Sequence, residues 1–352
     1  MKTSRGVGIL AVTAAGVLAL AACSSSGGSS SSNSIKASGS TAQKNAMTEW
    51  INSYQQANSG STIDYQANGS GAGIQDFINN QTSFAGSDSA IKDADLQKAN
   101  QRCGSGPAIN IPMVGGAIVV AFNVPGVDKL DLSSSVVAQI FSGKITKWNA
   151  PAIASLNPGA KLPDATIVQF HRSDSSGTTD NFTKFLAASA AKDWTAAGGK
   201  DWTAPGGQGA KGNDGVASSV KSTPNSVGYM ELSFAQDSKI PMAAINNGGG
   251  AVAPTTESAQ AGLSTATVTG TGNDLSLKID YTTKAPGAYP IVLVTYEITC
   301  EKGLQGGALT LTKSFLQYTA SQSAQSMLSG IGYVPLPANL ISKVNTSVNS
   351  IS

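Results

Sequence analysis

The chain has 352 residues, a formal net charge of +2 and only 12% charged residues. Without a basic block or a Lys/Arg stripe, nucleic acid is excluded as a partner. The single histidine, His171, excludes metal sites built from several histidines.

Lys2 and Arg5 precede an uncharged, alanine-rich stretch over residues 6–20, and small residues then lead to a cysteine in Leu20-Ala21-Ala22-Cys23. This is the layout of a secretory signal, too short to span a bilayer comfortably. The residues before Cys23 resemble a lipobox, so residues 1–22 are expected to be a lipoprotein signal peptide. Diacylglycerol on the Cys23 sulfur would then hold the chain to the outer face of the cell membrane. An ordinary signal cut near Ala22 is the alternative. Residues 23–33 are mostly Ser and Gly, a flexible tether. Beyond it lie about 320 residues, enough for two lobes.

Strand-like and helix-like segments then alternate, which predicts an α/β fold with largely parallel sheets. Strands are expected over residues 62–67, 111–124, 166–170, 227–232 and 289–299. Helical spacing appears at Met47, Trp50, Ile51 and Tyr54, then at Ile74, Phe77 and Ile78. It returns at Val136, Val137, Ile140 and Phe141, ended by Gly143, and at Phe182, Phe185 and Leu186. Residues 205–215 read as loop, and 248–286 show too little periodicity to assign. Cys103 precedes one strand and Cys300 follows another. If those strands pair antiparallel, the two cysteines meet at one end, and in an exported chain they form a disulfide. Two free thiols are the other possibility.

Three polar loops each open a helix: Ser38-Gly39-Ser40-Thr41-Ala42, Asn68-Gly69-Ser70-Gly71-Ala72-Gly73, and residues 171–179 with Arg172, Asp174, Ser176, Gly177 and Thr178. Hydroxyls and unpartnered first-turn N–H groups at a helix N-terminus suit an oxyanion. A single such loop is usually no more than an N-cap; three in one exported chain carry more weight. Arg172 supplies a forked cation, and Asp174 is placed to steady it. Asp88 is the informative acid. An ionised carboxylate only accepts, so it tolerates an anion that carries a proton, such as phosphate, and repels one that does not, such as sulfate.

These residues, with Phe84-Ala85-Gly86-Ser87-Asp88, the run Phe141 to Trp148 and Lys211-Gly212-Asn213-Asp214-Gly215, resemble the phosphate-binding proteins of high-affinity phosphate ABC transporters. The resemblance implies a two-lobed periplasmic-binding-protein fold, type II-like, with two hinge strands and the ligand in the interlobe cleft. It places residues 34–123 and 289–352 in lobe I and 124–288 in lobe II. It also implies phosphate contacts from Ser40, Thr41, Ala42 and Ser70, with Asp88 taking the phosphate proton. Arg172, Ser176, Gly177 and Thr178 contribute from the other lobe, with Asp174 behind the arginine. Some relatives carry an aromatic residue where Ala42 stands, so cleft shape there is open. The implied partners are inorganic phosphate and the permease subunits of an ABC importer; the protein is expected to be a monomer without a cofactor. Rival readings are the same fold binding sulfate, a phosphonate or arsenate, and a secreted hydrolase. Against the hydrolase, no G-x-S-x-G elbow occurs.

Overall fold

A computed structural model describes residues 33–352; the expected signal segment 1–22, Cys23 and the tether up to residue 32 lie outside the described residues. Eight strands build one sheet: β1 (Ser34–Gly39), β2 (Thr62–Gln66), β3 (Phe84–Ser87), β4 (Ala108–Asn123), β5 (Val168–Arg172), β6 (Gln208–Ala210), β7 (Ser226–Glu231) and β8 (Val292–Cys300). Their order is β2-β1-β3-β8-β4-β7-β5-β6. Parallel pairing holds at both ends, β2-β1-β3 and β7-β5-β6. The centre is antiparallel: β8 runs against β3 and β4, and β4 runs against β7. The expectation of largely parallel pairing is corrected to this extent. β4 and β8 read as continuous apolar runs, which identify a doubly covered strand and not its direction.

The two long central strands carry the architecture. β4 pairs with β8 from Ala108 to Ala117 and with β7 from Ile118 to Asn123. Each half serves a different hydrophobic core. One core holds Trp50, Phe77, Phe84, Ile111 and Phe315; the other holds Phe122, Phe141, Trp148, Phe182 and Tyr229. β8 divides likewise, with Val292 and Leu293 in the second core and Val294 in the first. The change of core inside β4 falls between Val114 and Ala117, and its change of partner from β8 to β7 falls at 117/118. Every residue from Ala108 to Phe122 is buried, so no polar break marks the crossing. Pro112 is tolerated in this central strand because the β4–β8 register shifts beside it, between Thr295 and Tyr296.

The helices follow the apolar spacing. α1 (Lys44–Ala57) buries Met47, Trp50 and Tyr54, and α2 (Ser70–Ile78) buries Ile74 and Phe77. α3 spans Asp93–Cys103 and α4 spans Ser134–Phe141. α5 (Gly177–Ser189) buries Phe182, Phe185 and Leu186. Residues 205–215, expected as loop, supply edge strand β6 and the start of α6 (Gly212–Ser222). In 248–286 a helix at Thr256–Leu263 is fixed by a capping box between Thr255 and Ser258. Leu275 packs into the first core, and Asp274 accepts from the Asn110 N–H at 2.8 Å. Cys103, ending α3, is disulfide-bonded to Cys300, ending β8, with Cα atoms 5.4 Å apart. Among the described residues no helix is long and apolar enough to cross a membrane.

Candidate functional site

The three polar loops converge where the two cores meet. In the first, Gly39 adopts φ +140°, and a side chain there would run into the Gly86 carbonyl of β3. The chain then turns, with Ser40 donating its N–H to Gly86 at 2.7 Å, and enters α1. The Ser40 Oγ accepts from the Ala42 N–H at 3.0 Å and donates to Asp88 Oδ1 at 2.5 Å. The second loop opens α2, and Ser70 Oγ accepts from the Asp88 N–H at 3.2 Å. The third follows β5 into α5, where Ser176 caps the helix by accepting from the Thr179 N–H. That bond uses a lone pair of Ser176 and leaves its O–H to donate.

Asp88 is 3% exposed. Besides Ser40, Thr295 of β8 donates to Oδ1 at 2.8 Å, and Thr178 makes a longer 3.4 Å contact with Oδ2. Burial raises the Asp88 pKa above the usual carboxylate range, opposed by the Ser40 and Thr295 hydroxyls, the Arg172 charge and Thr178. Arg172 is 1% exposed and forks onto Asp174, Nε to Oδ1 at 2.7 Å and Nη2 to Oδ2 at 2.5 Å. Its Nη1 reaches Thr178 Oγ1 at 3.3 Å. Burial works against an ionised Asp174. The Arg172 hydrogen bonds and charge, with the Gly212 N–H at 3.1 Å, outweigh it and hold the pKa below normal.

The structure therefore brings together Ser40, Thr41, Ala42, Ser70 and Asp88 from one side and Arg172, Asp174, Ser176, Gly177 and Thr178 from the other. The two sides touch. Gly71 N–H donates to Ser175 O at 2.9 Å, and a Cβ on Gly177 would lie 2.6 Å from both Asp88 Cβ and Ser70 Oγ. Glycine at 177 is required by this close approach of its backbone to Asp88 and Ser70.

Sequence reasoning missed several members. Asn213 is fully buried at the start of α6, and its Nδ2 donates to Thr41 Oγ1 at 2.8 Å and contacts Thr178 Oγ1 at 3.4 Å. The 211–215 motif held it, but glycines on both sides read as loop. Thr295 sits inside an apolar strand with nothing local to mark it. Asn181, one turn into α5, donates to the Asp88 carbonyl at 2.7 Å. His171 stacks on Trp202 with ring centroids 5.0 Å apart, and its Nδ1 lies 3.0 Å from the Arg172 carbonyl, a structural placement.

With this geometry in view, the chain matches the PBP superfamily domain over residues 24–323. It is 44% identical over 372 residues to phosphate-binding protein PstS 3 of Mycobacterium tuberculosis, covering 100% of both chains. The chain belongs to the PstS family of phosphate-binding proteins. A PstS of Methanocaldococcus jannaschii is 34% identical, covering 95% of this chain and 92% of that one. The fold agrees with the phosphate-bound periplasmic protein PfluDING at a TM-score of 0.74 and 22% identity, over 91% of this chain and 99% of the other. A phosphate-binding protein from Stenotrophomonas maltophilia agrees at 0.70 and 20% identity, over 89% and 93%. The two-lobed periplasmic-binding-protein architecture expected for a PstS chain is thereby established.

Proposed function

We propose that this PstS-family chain captures inorganic phosphate outside the cytoplasm and delivers it to the permease subunits of an ABC importer, without catalysing a reaction. The observation that carries this reading is the pairing of a buried acceptor, Asp88, with a buried and pre-forked cation, Arg172, among hydroxyl and N–H donors from both lobes. Asp174 leaves Arg172 Nη1 turned toward Thr178, so the guanidinium is oriented before any ligand arrives. Thr41, Ser70, Ser176 and Thr178 present hydroxyls and Gly177 a backbone N–H to the oxygens of a tetrahedral anion; Ser40 and Ala42 join them once a ligand oxygen replaces their present partners, Asp88 and Ser40 Oγ. Asp88 Oδ2 holds only the 3.4 Å contact to Thr178, so it is the oxygen on which a ligand proton would rest.

In this reading lobe I comprises residues 34–123 and 289–352 and lobe II residues 124–288, with the two cores meeting along β4 and β8. Cys23 carries the lipid, residues 23–33 form the tether, and the protein acts as a monomer.

Titration calorimetry with phosphate, with sulfate as control, tests the assignment on wild type and Asp88→Asn. Wild type is expected to bind one phosphate and no sulfate. Asp88→Asn is expected to lose about tenfold to hundredfold in phosphate affinity and to gain sulfate binding. Absence of phosphate heat and of thermal stabilisation, after removal of any carried-over ligand, would sink the phosphate reading. A wild type that prefers arsenate or a phosphonate would reassign the ligand within the same fold.

A further inference from the structure

Behind the Ser40 loop lies a second carboxyl that the phosphate reading does not use. Glu297 sits on β8 two residues beyond Thr295, on the same face of the strand. It is opposite Gly86 of β3 and fully buried. A Cβ on Gly86 would collide with Gln43 Nε2 and the Tyr65 hydroxyl, so both side chains occupy the space over Gly86 that Glu297 faces. Gln43 Nε2 donates to the Tyr65 hydroxyl at 3.1 Å, and Tyr65 donates to the Ser40 carbonyl at 2.9 Å. Ser40 in turn holds Asp88. Glu297 thus lies against the Gln43–Tyr65–Ser40 chain that ends on Asp88, without a hydrogen bond to it, and two residues along β8 from Thr295, which holds Asp88 directly.

Three buried oxygens here have no hydrogen-bond partner, both of Glu297 and Oε1 of Gln43. An ionised Glu297 is acceptor-only and can relieve none of the three, whereas a neutral one carries an O–H that can donate to a nearby oxygen. The titratable groups that face Glu297 are Asp88 at the end of β3 and Tyr65 of β2. β4 offers Ile111, and the turn before α1 offers the uncharged Gln43. Among the described residues no cation faces it. Burial first, and then the Asp88 charge, push its pKa up to about 8 against the pull of Gln43.

We propose that Glu297 is a positioning residue for phosphate: as a neutral acid it sets the Gln43–Tyr65–Ser40 relay that holds Asp88, and its ionisation weakens phosphate binding. The inference rests on the phosphate reading above. By linkage, a dianion or monoanion entering beside Asp88 raises the proton affinity of Glu297, so binding takes up a proton from mildly alkaline solution.

The test is calorimetric phosphate affinity of the full mature chain from pH 6.5 to 9.5, in wild type, Glu297→Gln and Glu297→Asp. The ratio of wild type to variant cancels the ionisation of phosphate itself. Wild type and Glu297→Gln should agree within about twofold at pH 7 and diverge about tenfold by pH 9, wild type becoming the weaker. Glu297→Asp retains a titrating group and should keep the step, moved to lower pH. Superimposable profiles for wild type and Glu297→Gln would overturn the role of Glu297. Should Glu297→Gln not fold, an unmoved step in Glu297→Asp would overturn it instead. Failure of wild type to bind phosphate at pH 7 would overturn the phosphate reading and this inference with it, an outcome distinct from superimposable profiles, which overturn only the role of Glu297.

Discussion

Arg172 and Asp174 show how two residues apart in sequence become one unit. β5 delivers Arg172 into the cleft and the next turn brings Asp174 back, giving a buried bidentate pair at 2.7 and 2.5 Å. Removing one partner of such a pair leaves a buried charge and costs about 3–5 kcal/mol. The folded pKa of Asp174 lies below its unfolded value of about 3.9. Its contribution is therefore complete above that value and fades as pH falls through the folded pKa. Glu297 has the opposite sign. Its folded pKa, about 8, lies above the unfolded value of about 4.3, so stability is greatest in acid and erodes as pH climbs between them. Urea unfolding should show Asp174→Asn far less stable than wild type at pH 7, with the gap closing toward pH 3. Glu297→Gln should match wild type at pH 4 and exceed it at pH 8. Parallel pH curves for all three proteins would remove both assignments. Arg172, Asp174 and Asp88 were singled out from residue chemistry together with the family resemblance. Glu297, Thr295 and Asn213 were not, because their partners come from other strands and helices.

Among the elements, those with strong period were read closely and those without were not. α1, α2, α4 and α5 carry apolar residues at helical spacing, and the structure buries those stripes. β5 was expected at 166–170 and forms at Val168–Arg172, because Thr166 instead makes a bridge to Lys147. β6 has three residues and sits at the sheet edge, too short for alternation to register. The disulfide was legible because two long apolar runs place their cysteines at one end. It ties α3 to the end of β8 away from Val292, across 197 residues of chain. Replacing both cysteines by serine should lower stability by about 2–4 kcal/mol while leaving phosphate affinity within about twofold. A large loss of affinity at unchanged stability would mean the tie shapes the cleft.

For the whole molecule, the decisive feature is that the two lobes are in contact across the cleft. Some of these contacts are buried, as in Asn213 to Thr41; others are exposed, as in Lys44 to Asp214 at 3.3 Å, where 45% and 58% of the side chains face solvent. Physical chemistry ranks them differently. An exposed ion pair contributes about 0–1 kcal/mol, whereas a buried hydrogen bond such as that to the Thr41 hydroxyl contributes more and leaves a costly orphan when broken. Lys44→Ala is expected to change phosphate affinity by less than about twofold, and Asn213→Ala to weaken it about tenfold. Equal effects in calorimetry would show that closure is electrostatic and not a matter of buried hydrogen bonding.

By itself the sequence determined the α/β class, the placement of oxyanion-suited loops at helix starts, the candidate cysteine pair and the likeness to phosphate-binding proteins. All of these are written in local residue chemistry, in periodicity, or in motifs a few residues long. Only the tertiary structure decided the antiparallel centre of the sheet, the point where β4 passes between cores, and the buried carboxyls around Asp88. Strand direction and burial depend on pairing between segments far apart in the chain. Thr295 and Asp88, 207 positions apart, become hydrogen-bonded neighbours only when β8 inserts between β3 and β4.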